Sequence, residues 1–253
     1  MQKTEAILLR RQEVRETSLL LTGFSRELGK FQGLLKGVRG ARAAVPWYPE
    51  PLTLQAVVLY ERRRSPWALV SHCDLLEPFE PLRRDLTRLA YATYLLDLVD
   101  GMTGLRDPHP EIYDLLHAGL RGLERAPTDP GSLARCVEAH LLKQCGFLPS
   151  IETLAASAQT KAELRKILVS APTQVANLHL SPLVNAELRR LHEALIRRAL
   201  ERDLRTRGFL HAIGLDTTNA PVVSSPNTHV ISSHGVARDL APKDGISRPP
   251  ASK

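Results

Sequence analysis

Glu5-Ala-Ile-Leu-Leu-Arg-Arg-Gln-Glu-Val14, then Thr17-Ser-Leu-Leu-Leu-Thr-Gly-Phe24, is the stretch on which the fold turns. Both are short runs rich in Leu and Ile with polar flanks, and the break between them, Arg15-Glu16, is short enough for a β-hairpin. Outward along the chain comes Ser25-Arg-Glu-Leu-Gly-Lys30, where Gly29 suits the positive φ of a tight turn. Phe31 to Val38 follows as a third strand, with Gly33 and Gly37 as candidates for a bulge or a barrel corner. Leu52 to Tyr60 alternates with period two. Arg62-Arg-Arg-Ser-Pro66 is a charged turn, and Trp67 to Leu76 is the fifth strand. Five short strands in eighty residues predict a small curved barrel, OB-like or SH3-like, which the pattern does not separate.

From Pro81 the period changes to that of helices. Leu86, Leu89, Ala90, Thr93, Leu96 and Val99 recur at helical spacing while Tyr91, Tyr94, Leu95 and Leu98 fill other faces, as in a central buried helix. Helices are predicted over Pro110 to Arg125 and Gly131 to Gln144, with Asp129 and Pro130 as cap and first-turn pair. A shorter helix is predicted over Thr160 to Leu168. A long one runs from Ser181 to Leu204, its stripe being Val184, Leu188, Leu191, Leu195 and Ala199. Beyond Gly214 the Pro, Ser, Asn and Gly content predicts a disordered tail. The expected organisation is a barrel over 1–80, a helical domain over 81–214 and a tail over 215–253, an α+β chain.

The formal net charge of +7 permits a polyanionic partner without requiring one. No apolar run is long enough for a membrane helix, and the polar start Met1 to Glu5 predicts no secretory signal. Three cysteines are an odd, sparse set that fits a reducing cytoplasm, with nucleoid association if DNA is the partner. Phosphate-loop, dinucleotide, zinc-protease and nucleophile-elbow motifs are absent from the sequence, so no cofactor and no catalysis are expected. Cys136-x3-His140-x4-Cys145 is the best metal candidate, but its outer members lie on opposite sides of a continuous helix.

Two basic clusters stand out. Arg26, Lys30, Lys36, Arg39 and Arg42 face the single acid Glu27, and Lys30, Gln32 and Lys36 share one strand face opposite Phe31 and Leu35. Such a face can neutralise phosphates, with Phe24, Trp47, Tyr48 and Tyr60 available to stack bases. A solvated strand edge carries the same pattern. The second cluster, Arg189, Arg190, Arg197, Arg198, Arg202, Arg205 and Arg207, interleaves with Glu187, Glu193, Glu201 and Asp203. Four-residue Glu–Arg pairs there fit a salt-bridged helix face first and an anion contact second.

In order along the chain, Ala6-Ile-Leu-Leu-Arg10, Glu16-Thr-Ser-Leu-Leu-Leu21, Phe24-Ser-Arg-Glu-Leu-Gly29 and Lys36-Gly-Val-Arg39 resemble the opening of the RecO family. The series continues through Pro51-Leu-Thr-Leu54, Glu77-Pro-Phe-Glu-Pro-Leu-Arg83, Leu89 to Val99 and Cys145-Gly-Phe-Leu-Pro149. The resemblance spans about residues 5 to 211. It implies an OB-fold followed by helices, binding of single- and double-stranded DNA, and annealing of complementary strands. It also implies partnership with RecR and with the acidic tail of single-stranded-DNA-binding protein while RecA is loaded. Lys36 and Arg39 match the family's basic KG-x-R stretch and inherit its DNA contact. Many members carry a four-cysteine zinc module where this chain reads Ser150-Ile-Glu-Thr-Leu-Ala-Ala-Ser-Ala-Gln159, so a zinc-free variant is expected. The alternatives are an adaptor that binds only proteins through its helices, and a nuclease, for which no paired-carboxylate metal site is visible.

Overall fold

A computed structural model describes the chain except residues 15–16, 39–48, 63–64, 126, 172–178, 201–203 and 216–253. The predicted tail therefore lies outside the described residues. The description concerns the first of the two units into which the chain divides, Met1–Thr217.

Five strands form where the sequence places them: β1 (Gln2–Val14), β2 (Ser18–Ser25), β3 (Gly29–Leu35), β4 (Leu54–Tyr60) and β5 (Ala68–Glu77). They close in the order β1-β2-β3-β5-β4. All neighbours are antiparallel except β3 and β5, whose parallel ladder joins Gly33 to Ala68, Leu34 to Leu69 and Leu35 to Val70. This order makes the barrel OB-like and resolves the alternative left open by the pattern.

Period two decides what fills the barrel. Ala6 and Leu8 of β1, Leu19 and Leu21 of β2, Phe31 and Leu35 of β3, and Val57 and Leu59 of β4 point inward and share one core. Gly29 takes the expected left-handed turn (φ 64°). A Cβ there would also sit 2.1 Å from the carbonyl oxygen of Asp107. At Gly33 the reason is close approach rather than a bulge. A Cβ would lie 2.5 Å from Val70 Cγ2, and the β2–β3 register passes it without a shift. The irregularities fall instead in β1, between Leu8 and Arg10, and along β4–β5.

The helical part comprises α1 (Glu80–Arg83), α2 (Leu86–Met102), α3 (Pro110–Glu124) and α4 (Pro130–Gln144). A 3-10 turn (Ile151–Thr153), α5 (Ala158–Val169), α6 (Pro182–Leu200) and α7 (Arg205–Ala212) follow. Asp129 caps α4 as predicted, accepting from the backbone N–H groups of Gly131 and Ser132. Helix α5 starts two residues before the predicted Thr160, and Ser157 caps it, accepting from the Thr160 N–H.

Two expectations change. The long helix ends at Leu200, and Arg205 opens a separate helix rather than closing the old one. In the stripe of α6, Val184 and Leu188 are buried and Leu191 and Leu195 pack against the core as expected, but His192 and Ile196 are buried too, His192 with an ionic partner that hydropathy does not reveal. Helix α2 is buried as expected, and α4 joins it, buried without interruption from Ser132 to Leu142, Arg135 and Glu138 included.

Barrel and helices share apolar contact. Ile7 and Leu9 of β1, Phe24 of β2 and Leu54 of β4 lie on the outside of the barrel, and all four join the core of the helical part. Adjacent residues Ala6 to Leu9 thus face two different cores.

Gly29→Ala is expected to lower the stability to urea by about 2 kcal/mol or more, since it combines left-handed strain with a backbone clash. An unchanged unfolding midpoint would show that the β2–β3 turn is not held as described.

Candidate nucleic-acid interface

The first basic cluster is split by the fold. Lys30 does point outward with Gln32 and Lys36, as period two requires. However, the end of α2 covers it, leaving the residue 8% exposed. Its ammonium donates to the Asp100 backbone carbonyl at 2.5 Å and lies 3.4 Å from the Asp100 carboxylate. Arg10 approaches the same carboxylate at 3.6 Å. Beside them the Arg106 N–H donates to the Lys30 carbonyl at 2.7 Å. Arg26, at the β2–β3 turn, is exposed but grips Asp114 of α3 through Nε and Nη2 at 3.0 and 3.1 Å. Its pKa is raised, first by that hydrogen bond and then by the Asp114 charge. Both cations pair across to the helices; Lys30 is covered there, which corrects its expected place on an open face, while Arg26 stays exposed.

Lys36 stands apart. It is exposed just past β3, on a barrel face that also carries Gln32 and Leu34 from β3 and Thr22 and Leu20 from β2. Arg39 and Arg42, the cations that follow it in sequence, lie outside the described residues, as do Trp47 and Tyr48. Of the other two aromatics, Phe24 is fully buried against the helices and unavailable for stacking. Tyr60 is exposed at the end of β4, where its hydroxyl donates to Met1 Sδ at 3.1 Å.

Three members of the second cluster line a small pocket of about 40 Å³ that opens to solvent in the helical part. Ile196 of α6 with Leu204 and Leu210 beside and on α7 give it apolar surface; Arg189, Arg197 and Arg207 rim it. Arg197 pairs with Glu193 at 3.3 Å, the four-residue spacing read from the sequence. Arg207 also meets Glu193, which the single-helix reading did not anticipate. Arg198 and Arg205 are exposed outside the lining, and Arg202 lies outside the described residues.

Beneath the pocket is a buried polar network that sequence reasoning missed. Glu138, 1% exposed, accepts from the Tyr94 hydroxyl at 2.6 Å, from Arg135 Nη2 at 2.5 Å and from His192 Nδ1 at 2.9 Å. Burial pushes the Glu138 carboxyl up, but Arg135, His192 and Tyr94 together outweigh it and hold the pKa below the usual 4.5. The partners lie 3, 44 and 54 residues away. Only the Arg135 spacing was visible locally, and it looks like an ordinary surface pair.

Cys136 and His140 serve in packing. Both are buried, and burial pushes the Cys136 thiol up to about 12. Helix α4 does end at Gln144, before Cys145. Even so, no group of three or more His, Cys, Asp or Glu side chains is placed to hold a metal among the described residues. No described helix is long and apolar enough to cross a membrane.

Comparison with known proteins bears on the whole described unit. The model for "Recombination protein O N terminal" matches residues 1–79, and that for "Recombination protein O C terminal" matches residues 83–166. The chain belongs to the RecO family. A RecO relative from Moorella thermoacetica, named DNA repair protein RecO, is 29% identical over 89% of this chain and 98% of its own length. RecO proteins of the same name from Alkaliphilus metalliredigens and Anaeromyxobacter dehalogenans are 28% and 31% identical; their matches take in 63% and 60% of this chain and 64% and 60% of theirs. RecO membership supports a role in DNA repair.

Two measurements check the split of charges. Lys30→Met is expected to lower folding stability by about 2 kcal/mol by leaving Asp100 short of a buried partner, whereas Lys36→Met stays within about 0.5 kcal/mol of wild type. Equal effects in urea unfolding would contradict the assignment. Separately, Glu138→Gln is expected to cost about 3 kcal/mol at neutral pH. Because the folded carboxyl has the lower pKa, this contribution is complete above the unfolded value near 4.5 and fades as pH falls below it. The gap between wild type and Glu138→Gln should therefore narrow from pH 7 to pH 3.5. A gap independent of pH would mean that folding leaves the Glu138 pKa unchanged, and one that widens toward pH 3.5 would mean that Glu138 folds in its neutral form.

Proposed function

We propose that the chain is a DNA-binding recombination mediator that works by holding strands and partners rather than by making or breaking bonds. It takes single- and double-stranded DNA on the barrel face that ends in Lys36 and continues in sequence to Arg39 and Arg42. The observation that carries this reading is the exposure of Lys36 on an OB-like barrel whose neighbouring cations, Arg26 and Lys30, are committed to the helices. Cations on such a face neutralise phosphates and release counterions, giving affinity without sequence choice. Two strands on cationic surfaces repel each other less, which favours annealing.

The pocket between α6 and α7 supports the second half of the reading. Apolar surface rimmed by arginines suits a peptide tail with acidic residues and an apolar end, the chemistry expected of the tail of single-stranded-DNA-binding protein. Partnership with RecR and a part in loading RecA rest on the family resemblance. Binding DNA through the barrel and a tail through the helices would let one chain hold a coated strand at two points.

The test is anisotropy of a labelled oligothymidine with the full chain across a salt series. Charge reversal at Lys36 and Arg39 together is expected to weaken binding at least tenfold. It should also reduce the slope of log K against log salt by about 1.4, or 0.7 per lost phosphate contact. Unchanged affinity and slope would remove the barrel face from the interface and leave a protein adaptor as the better description.

A further inference from the structure

Among the described residues, the arginine-rimmed pocket already contains two carboxylates of its own, and their situations differ. Glu138 is sealed in the core on three donors. Glu193 stands at the mouth, its side chain 23% exposed, against Arg197 of its own helix and Arg207 of the next. It bridges α6 and α7, and the two guanidinium groups it joins both line the pocket. The hold of α7 on the bundle does not rest on this bridge alone. Asp97 of α2 accepts from the backbone N–H of Thr206 at 3.0 Å and from its hydroxyl at 3.1 Å, pinning the first turn of α7. Leu204 and Leu210 are buried in the shared core on the same side.

We propose that Glu193 is a resident mimic of the ligand, an internal carboxylate that occupies the Arg197–Arg207 pair and must be displaced when an acidic tail docks. The inference rests on reading this pocket as the acidic-tail site. Like charges cannot share two guanidinium groups at ion-pair distance without strong repulsion, so docking is an exchange. The tail carboxylate takes the arginines, and Glu193 turns to the solvent it already touches. Asp97 keeps α7 in place while this happens. An exchange of one ion pair for another changes the number of pairs little, so docking to the wild-type protein is weak and only mildly dependent on salt. It also selects ligands: a single carboxylate gains little over Glu193, whereas a tail with several acidic groups wins by adding contacts along the rim.

The experiment uses the full chain and a fluorescein-labelled peptide of four aspartates ending in a leucine with a free carboxylate. Its affinity is read by anisotropy across a salt series. Glu193→Gln is expected to bind about fivefold tighter than wild type at moderate salt, the scale of one partly exposed ion pair, and with a steeper salt dependence. Glu111→Gln removes an equal charge from the exposed first turn of α3 and should match wild type. If loss of the bridge loosens α7 and weakens the Glu193→Gln complex, the steeper salt slope still marks the exchange. Binding no tighter than wild type with an unchanged slope overturns the role of Glu193. The pocket reading stands in that case if Arg189→Glu abolishes binding. Failure of wild type and Glu193→Gln alike to bind the peptide, or indifference to Arg189→Glu, overturns the pocket reading and this inference with it.

Discussion

Burial of both sides of Ala6 to Leu9 is the constraint from which the rest follows. Ala6 and Leu8 fill the barrel, while Ile7 and Leu9 enter the helical core. Each larger side chain removed from water contributes roughly 1.5–3 kcal/mol, so β1 gives up neither cover cheaply. That double burial turns one side of the barrel permanently toward the helices. Cations near that side, Arg10, Lys30 and Arg26, then meet carboxylates from α2 and α3. The face that remains open ends in Lys36. Sorting of charge between structural and interactive roles is thus a consequence of how one strand is buried.

Much of this was legible because it is local. Turn chemistry at Gly29, the cap at Asp129 and the five strand runs are written within a few residues of where they act. Even the continuous apolar run of β1, which lacks strict alternation, is the signature of a strand covered on both faces. What escaped is non-local. Lys30 and Lys36 are indistinguishable by spacing, and only Asp100, seventy residues on, separates a clamp from an exposed cation. Arg135 and Glu138 read as a surface pair until Tyr94 and His192 close around them. His192 joined the buried side of α6 unseen for the same reason.

Polar groups in the helical core also have an organising effect. A network that draws one member each from α2 and α6 and two from α4 is satisfied in only one relative placement of those helices, whereas leucines tolerate sliding. Arg135 and Glu138 contribute to the wall of the pocket above, so the rim arginines rest on a rigid base. The same bundle that stabilises the chain through apolar burial therefore fixes the geometry of its charged pocket.

The closing seam of the barrel has a kinetic meaning. β1, β2 and β3 form a meander of neighbours in sequence, and β4 and β5 form a second antiparallel pair. These pieces are joined by the β1–β4 ladder and by the three parallel pairs of β3 and β5, whose partners lie 35 residues apart, from Gly33 to Ala68. Local hairpins form in microseconds, while contacts distant in sequence wait on loop closure. The order of assembly is then meander first and seam last. Lengthening the connection after β3 slows the final step, but each doubling of the loop costs only about 0.6 kcal/mol. A lineage could therefore vary that connection, where Arg39 and Arg42 lie, while keeping the barrel intact.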